Sequence, residues 1–235
     1  NIGSACTFIG NPQNVLIGSL SQVPAGEYFL SAAPISFLGL IMLYLAISFK
    51  YKNDLSVSFE YKSDNNSIIH KYLLSKTIIV LALVIVFYLV GFDLSLTASF
   101  GAAFLLINAR IKPERVYEDI DFNLLIMFIG LFIIIAGVEK SGLLDLINSF
   151  LPPEYMKEIP LFSVMAIVLS NIVSNVPAVL LLRYYIPVDE QILWQALALL
   201  STIAGNLTVF GSIANLIVIE IAKKQGIKVT SNQYL

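Results

Sequence analysis

Charged residues are scarce in this chain. Only 13% of its 235 residues are Asp, Glu, Lys or Arg, whereas 57% are hydrophobic. A soluble domain carries about 25% charged residues, so this composition excludes an ordinary soluble protein and predicts an integral membrane protein. The few basic residues are scattered along the chain, which is unlike a nucleic-acid-binding surface, so no nucleic-acid partner is expected.

Cysteine and histidine are almost absent. Cys6 is the only cysteine, which excludes an internal disulfide and a cysteine metal cluster. His70 is the only histidine, which excludes zinc sites and proton relays built from several imidazoles. The sequence also lacks an ATP-binding P-loop. We therefore expect no catalytic residue, no cofactor and no enzymatic activity.

Long apolar segments predict an all-α membrane fold, because a spanning helix needs about 20 mostly apolar residues. Four segments are uninterrupted: 28–49, 77–90, 94–109 and 122–138. The second and third are separated by residues 91–93, which predicts a tight hairpin. The segments 161–182 and 192–221 are interrupted by Gly, Asn, Ser or Pro, so we expect broken helices there.

Lysine and arginine are concentrated in alternate connecting segments. The segments 50–76 and 110–121 and the C-terminal tail are basic, whereas residues 18–27 contain neither Lys nor Arg. Cytoplasmic loops of membrane proteins are enriched in these residues. We therefore expect the three basic segments on the cytoplasmic side of the plasma membrane, which the chain crosses several times.

A pattern near the start of the chain recurs near its end. Residues 7–17 read TFIGNPQNVLI, and residues 208–218 read TVFGSIANLIV. Thr, Gly and Asn thus recur at the same spacing before three aliphatic residues. The likeness continues, since residues 23–29 read VPAGEYF and residues 229–235 read VTSNQYL. This duplication predicts an internal repeat.

The two copies lead to segments of different charge. The first copy leads to residues 18–27, which have no basic residue, and the second leads to Lys223 and Lys224. We therefore expect the copies to cross the membrane in opposite directions, as in the inverted repeats of secondary transporters. On this hypothesis residues 1–49 end a first repeat, residues 50–76 form a cytoplasmic linker, and residues 77–235 form a second repeat that lacks its final helix.

Both copies carry residues that break a helix within an apolar segment. Backbone groups freed in this way must face protein or a polar cavity when they lie inside a membrane. The hydroxyls of Thr7 and Thr208 and the amides of Asn14 and Asn215 are neutral oxygen ligands for a cation such as Na+. The alternative is a helix-packing contact built from Gly and Asn.

Residues 170–177 read SNIVSNVP in the middle of an apolar segment. This pattern predicts a re-entrant hairpin with its tip near Ser174, whose returning helix begins at Pro177. The alternative is a kinked spanning helix. Arg183 follows the hairpin, where it either attracts an anion or extends towards the membrane surface.

Three motifs together resemble a superfamily of membrane proteins. Residues 3–14 read GSACTFIGNPQN, residues 174–177 read SNVP, and residues 204–215 read AGNLTVFGSIAN. They resemble the ion-transporter superfamily of arsenite permeases, NhaD-type sodium/proton antiporters, citrate transporters and divalent-anion/sodium symporters. The resemblance extends over essentially the whole chain and is greatest to bacterial and archaeal anion permeases.

This resemblance implies a homodimer in which a transport domain moves against a scaffold domain in an elevator manner. In the symporters a Ser-Asn-Thr hairpin tip and an unwound segment hold Na+ and a carboxylate substrate, and Val176 stands at the position of that Thr. The implied Na+ ligands are Ser174, Asn175, Thr208, Gly211, Ala214 and Gly10. The implied substrate-binding residues are Thr7, Asn11, Asn14, Asn175, Thr208 and Asn215.

We therefore expect a secondary active transporter of a small inorganic or organic anion, coupled to Na+ or H+ and dimeric in the lipid bilayer. A Na+/H+ antiporter and an arsenite efflux permease are alternatives, because those branches share the unwound motifs. An ion channel is an alternative of another class, and it would conduct without saturation or counterflow.

Overall fold

The computed structural model describes residues 1–52, 70–107, 120, 122–150, 154–227 and 229. These residues form helices and connecting segments without a β-strand, which confirms the predicted all-α fold. Their contacts divide the chain into two units. The first unit comprises Asn1–Gly39 and Asn123–Leu235, and the second comprises Leu40–Phe122. The predicted boundaries of the two repeats stay a prediction.

The described residues form ten α-helices. In chain order they are α1 (Pro12–Leu20), α2 (Ala25–Lys50), α3 (Lys71–Val90), α4 (Leu94–Leu106), α5 (Phe122–Lys140), α6 (Leu143–Phe150), α7 (Ile159–Val173), α8 (Asn175–Leu182), α9 (Gln191–Ala204) and α10 (Ile213–Lys224). Short 3-10 turns lie at Gly3–Cys6, Phe8–Gly10, Tyr155–Lys157, Arg183–Tyr185 and Val209–Gly211.

Two of the described helices are long and apolar enough to cross a membrane. They are α2 and α3, with mean hydropathies of 2.1 and 2.6, and only 11% of each apolar stretch is buried within the protein. Large side chains such as Phe37 and Met42 are 65% and 70% exposed. Apolar surface of this extent suits contact with lipid rather than water.

Some helix boundaries differ from the predicted ones. Helix α3 begins at Lys71, so residues 71–76 are helical and do not belong to the predicted loop. Lysine favours a helix, and its long stem lets the ammonium group reach polar partners beyond the apolar surface. The segment between α5 and α7 contains α6 and a 3-10 turn, and neither was predicted. Helix α6 was missed because it is far shorter than a spanning helix.

In the second unit, α3 and α4 form the predicted antiparallel hairpin. Gly91 has a φ of 108°, and the N–H of Phe92 donates to the carbonyl of Phe87 at 3.1 Å, so α3 ends in a Schellman turn. Asp93 then caps α4 by accepting a hydrogen bond from the N–H of Leu96 at 2.8 Å. At the other end, Lys76 Nζ donates to carbonyls of the last turn of α4, 2.8 Å from Phe104 O.

The core of the first unit lies where α7, α8 and α9 pack against one another, with α1 against α8 and α9. Phe162, Val179 and Leu197 are fully buried there. The ring of Phe8 stacks on Tyr28 at 4.1 Å between centroids, and the Tyr28 hydroxyl donates to Ala5 O at 2.6 Å. These contacts fix the residues before α1 against α2.

Candidate functional site

The predicted break in the segment 161–182 lies at Ser174. Helix α7 ends at Val173 and α8 begins at Asn175, and Ser174 between them has φ 76° and ψ 163°. A residue with a Cβ rarely adopts this conformation, which costs about 1–3 kcal/mol. The second helix begins before the predicted Pro177. Proline is tolerated there because N–H groups of the first helical turn have no helical partner.

The predicted break in the segment 192–221 follows α9. The helix ends at Ala204, a 3-10 turn spans Val209–Gly211, and α10 begins at Ile213. Ser212 caps α10, because its Oγ accepts a hydrogen bond from the N–H of Ala214 at 3.3 Å. The chain is therefore unwound between α9 and α10, as predicted for this interrupted segment.

The two copies of the sequence repeat have the same local backbone. Thr7 and Thr208 are extended, with φ/ψ of −136°/151° and −135°/156°. Each is followed by a 3-10 turn whose glycine N–H donates to the threonine carbonyl, at 3.2 Å and 3.1 Å respectively. Asn11 and Ser212 are then extended before a helix begins. The sequence repeat thus corresponds to a repeat of local structure. We call residues 3–14 the first motif and residues 204–215 the second motif.

Three oxygen atoms converge on Gly211 in the second motif. A Cβ on this glycine would lie 3.0 Å from Gly205 O, 3.0 Å from Thr208 Oγ1 and 3.1 Å from Asn171 Oδ1. The Thr208 hydroxyl also donates to Asn171 Oδ1 at 3.1 Å. A Cβ at position 211 would push these atoms away by a few tenths of an ångström, so glycine suits this close approach. Neutral oxygens around one point are suitable ligands for Na+.

Asn175 lies close to these oxygens. A Cβ on Gly205 would be 2.9 Å from Asn175 Nδ2 and 3.0 Å from Ser212 Cβ. Asn175 is 2% exposed, and among the described residues neither its Oδ1 nor its Nδ2 has a hydrogen-bond partner. An unpaired buried amide costs about 1–3 kcal/mol. Native proteins rarely leave such groups unpaired, so Asn175 is a candidate ligand-binding group.

Two helix N-termini meet beside Gly205. Helix α8 begins at Asn175, and α10 begins directly after Ser212. The N-terminus of a helix carries a partial positive charge and unpaired N–H groups, which suit an anion. The same place therefore offers oxygens to a cation and positive helix ends to an anion.

The first motif is closed by contacts within itself. A Cβ on Gly10 would overlap the carbonyl of Ser4. Asn11 Nδ2 donates to Ser4 Oγ at 2.7 Å, and Asn14 Nδ2 lies 3.4 Å from Thr7 O. Asn14 is fully buried. These amides are thus held by the motif and its neighbours.

Side chains from outside each motif tie the two motifs together. The Thr202 hydroxyl on α9 lies 3.0 Å from Asn14 Oδ1 and accepts a hydrogen bond from Gln13 Nε2 at 3.1 Å. Asn1 Nδ2 donates to Asn215 Oδ1 at 3.0 Å and to Asn206 Oδ1 at 3.1 Å. The two motifs therefore lie next to each other in the first unit.

The predicted site residues fall into two groups. Asn175 and Gly211 lie beside Gly205, Thr208 Oγ1 lies beside Gly211, and Ser174 forms the adjoining break. The remaining predicted residues lie in the motifs themselves. Of these, Thr7, Gly10, Asn11 and Asn14 belong to the first motif, and Ala214 and Asn215 to the start of α10. The roles of all these residues as ligands stay a prediction.

Several site residues were missed by the sequence reasoning. Gly205 and Ser212 stand where the first motif has Ser4 and Asn11, so a full alignment of the two copies would have indicated them. Asn171 lies in the predicted break but was not assigned a role. Asn1, Gln13 and Thr202 are brought in only by tertiary packing. Val176 packs in the core with Ile135 and Leu180, so its side chain is not a ligand.

The candidate site is uncharged. Within the described residues, no group of three His, Cys, Asp or Glu side chains could hold a metal ion. Arg183 lines a separate cavity of about 180 Å³ together with Glu139. Its guanidinium donates to the Tyr184 hydroxyl at 2.7 Å and lies over the Tyr184 ring. Attraction of an anion by Arg183 stays a prediction.

Comparison with known families decides what kind of protein carries this site. The citrate transporter family matches residues 1–204, which include the first motif, the break at Ser174 and the whole of α9. The chain belongs to this family. The predicted resemblance to the ion-transporter superfamily is thereby confirmed. Membership also identifies a membrane-embedded protein in a family of transporters rather than of enzymes.

Individual relatives are similar over different lengths. A Dictyostelium discoideum protein named as the transporter arsB is 35% identical over 62% of this chain and 27% of its own length. The silicon efflux transporter LSI3 of Oryza sativa subsp. japonica is 27% identical over 95% of this chain and 61% of its own. A 46 kDa membrane protein of Mycobacterium leprae is 25% identical over 96% of this chain and 58% of its own. The chain spans less than two thirds of each relative. No solved structure matches it.

Proposed function

We propose that the protein is a secondary active transporter that moves a small inorganic or organic anion together with Na+ or H+. The observation that carries this proposal is the convergence of three oxygens on Gly211, from Gly205, Thr208 and Asn171. These ligands are uncharged, so they would hold a monovalent cation without trapping it. Membership in the citrate transporter family supports an anion as the transported solute.

The neighbouring helix N-termini would bind the anion. Helices α8 and α10 begin beside Gly205, and their partial positive charges favour a negative group. The unpaired amide of Asn175 would supply a further donor. An anion next to a bound cation gains electrostatic attraction, which is larger in a site with little water. Cation binding would therefore raise the affinity for the anion, and this difference in affinity is the coupling.

The wider architecture follows the same proposal. We propose that the motifs belong to an inverted repeat and that α7 and α8 form a re-entrant hairpin with its tip at Ser174. Packing of α7 against α8, and of both against α9, supports a hairpin over a kinked helix. Transport would then occur by an elevator movement in a homodimer, as the family resemblance implies.

The proposed protein crosses the plasma membrane several times. The segments 50–76 and 110–121 and the C-terminal tail would lie in the cytoplasm. Large parts of these segments lie outside the described residues, so this orientation rests on the charge pattern of the sequence.

Thermal unfolding of the full-length protein in detergent tests the cation site. The melting temperature should be higher in Na+ than in K+ at equal ionic strength, because a ligand at 100 times its Kd adds about 2.7 kcal/mol. Gly211→Ala should abolish this difference, since its methyl group would lie among the three oxygens. Gly137→Ala is the matched control. A Cβ there meets no described atom within 4 Å, so the difference should persist.

Equal melting temperatures in the two salts would rule out Na+ coupling. Uptake of radiolabelled citrate, arsenite or phosphate into proteoliposomes under a pH gradient would then test H+ coupling. Saturable uptake with counterflow supports a transporter, whereas flux that does not saturate would indicate a channel.

Efflux is a second candidate function. It is favoured by the rice relative, which is named as a silicon efflux transporter and matches 95% of this chain. Solute accumulation in inside-out vesicles, but not in right-side-out vesicles, would support efflux over uptake.

A further inference from the structure

An open groove runs along the α3–α4 hairpin of the second unit. Its volume is about 760 Å³, and its lining extends from Tyr72 at one end to Phe92 at the other. Between the lining residues Tyr72 and Phe87, helix α3 rises about 22 Å, because an α-helix rises about 1.5 Å per residue. One half of the hydrocarbon core of a membrane is about 15 Å thick. The groove is therefore long enough to hold an extended acyl chain from one leaflet.

The lining of this groove is mainly apolar and is open to the surroundings. Helices α3 and α4 come closest at Gly101, where an added Cβ would lie 2.7 Å from Val84 Cγ2. Ile79 and Phe100 also line the groove, and they are 59% and 74% exposed. Among the described helices, neither α3 nor α4 packs extensively against a third. Apolar surface of this extent favours an apolar occupant.

One end of the groove is basic. Lys76 lines this end, and Lys71 directly precedes the lining residue Tyr72. Helix α3 begins at Lys71 without an acidic residue in its first turn, so the N–H groups of that turn add partial positive charge. The acidic residue of the hairpin, Asp93, lies at the opposite end, where it caps α4. The basic end therefore suits a negatively charged group.

Backbone groups hold the ammonium of Lys76 in place. Lys76 Nζ donates to Phe104 O at 2.8 Å and to Ile107 O at 3.2 Å, and it lies 4.8 Å from the centroid of the Phe104 ring. These carbonyls carry only the partial negative charge of a helix C-terminus. Net positive charge thus remains at a fixed position in the lining of the groove.

We propose that the groove binds an anionic phospholipid, with an acyl chain along α3 and α4 and the phosphate beside Lys71 and Lys76. The long apolar lining and the basic end match the two parts of such a lipid. A second copy of the chain is a poorer occupant, because a two-fold axis normal to the membrane would bring the lysines of both copies together. Basic residues at the membrane surface instead attract anionic lipids. The inference requires that α3 crosses the membrane, but it does not depend on the solute or the coupling ion.

Lipid binding to the purified, delipidated full-length protein in detergent tests the inference. Native mass spectrometry would measure the Kd of phosphatidylglycerol and that of phosphatidylcholine with the same acyl chains. Phosphatidylglycerol should have a Kd about tenfold lower, because one lysine near an anionic headgroup contributes about fivefold and the charge of Lys76 is partly offset by the α4 carbonyls. Glycerol phosphate, which has no acyl chain, should not bind measurably.

Lysine variants test the charged end of the groove. Lys71→Gln should reduce the preference for phosphatidylglycerol about fivefold. Lys50→Gln is the matched control, because Lys50 ends α2 in the same unit but does not line the groove. The preference of this control should stay at the wild-type value. If both variants lower the preference equally, general surface charge attracts the lipid and the proposed site is wrong.

Tryptophan variants test the apolar part of the groove. Leu83 lines the groove and is 48% exposed, whereas Leu81 is 57% exposed on the same helix but lies outside the lining. Leu83→Trp should fill part of the groove and raise the Kd of phosphatidylglycerol about tenfold, while Leu81→Trp should change it less than twofold. Both side chains are exposed, so both variants should fold, and equal melting temperatures would verify this.

Three results would overturn the inference. The first is an equal Kd for phosphatidylglycerol and phosphatidylcholine in the wild type. The second is an equal effect of Leu83→Trp and Leu81→Trp on lipid binding. The third is a Leu83→Trp protein whose oligomeric mass falls while its Kd for lipid is unchanged, which would assign the groove to a second copy of the chain. The proposed transport function stands in each case.

Discussion

The two motifs share a backbone but differ in how their polar groups are satisfied. In the first motif, Gly10 is pressed against Ser4, and Asn14 is fully buried and bonded. In the second motif, three oxygens surround Gly211, and Asn175 beside it has no partner within the described chain. The same local fold thus has its amides bonded in one place and lies beside an unpaired buried amide in the other.

The difference comes from the neighbours of each motif. The first motif packs against α9, whereas the 3-10 turn of the second motif packs against α7, near the break at Ser174. Unwound helix ends bring free N–H and carbonyl groups, which a continuous helix would have paired. A repeated motif therefore supplies a scaffold, and the adjoining helix decides which polar groups lie beside that scaffold.

The largest expected effect is on stability, and it distinguishes alanine variants of Gly10 and Gly211. Gly10→Ala would force a methyl group into the carbonyl of Ser4, and because that atom is backbone it cannot rotate away. We expect a loss of at least about 3 kcal/mol in the free energy of unfolding. Thermal unfolding in detergent measures this loss, and Gly211→Ala should lose less stability while losing the Na+ response. Equal losses of stability would contradict the distinction between the tight contact at Gly10 and the looser one at Gly211.

A second comparison exchanges the buried amides for an apolar side chain. Asn14→Leu would leave the Thr202 hydroxyl without its Asn14 partner, so the free energy of unfolding should fall by about 2 kcal/mol. Asn175→Leu removes an amide that has no partner among the described residues, so in K+ it should be neutral or stabilising by about 1 kcal/mol. Melting curves in K+ check both values. A destabilisation by Asn175→Leu as large as that by Asn14→Leu would mean that Asn175 is already bonded.

The smallest expected effect concerns the strained break. Ser174 is the non-glycine residue with positive φ in the described part of the chain. Ser174→Gly should relieve this strain and raise the melting temperature by about 2–4 °C, which corresponds to about 1 kcal/mol. Asn11→Gly in the first motif replaces a residue with ordinary extended angles, so it should not stabilise. A lower melting temperature for Ser174→Gly would show that the hydroxyl contributes more than the strain costs.

The sequence predicted the broken helices better than their partners. Apolar segments interrupted by Gly, Asn and Pro indicated both breaks, and the repeat indicated that two segments share one backbone. The bond between Asn1 and Asn215 joins residues 214 positions apart, and no local pattern indicates it. The start of α3 was misplaced because Lys71 and Lys76 were counted as loop residues, although both lie within the helix. Local sequence patterns thus predicted the helices and the candidate residues, whereas the pairing of side chains depends on tertiary packing.

The Lys76 contact has a consequence for the order in which this protein is made. It joins residues only 28 positions apart, so the α3–α4 hairpin can close while later parts of the chain are still being synthesised. The bonds of Asn1 with Asn206 and Asn215 must wait until residues 205 and 214 positions later have left the ribosome. We therefore expect a nascent chain to close its hairpin first and to assemble the candidate site later. Until then, the polar groups of the first motif need temporary partners from water or a chaperone.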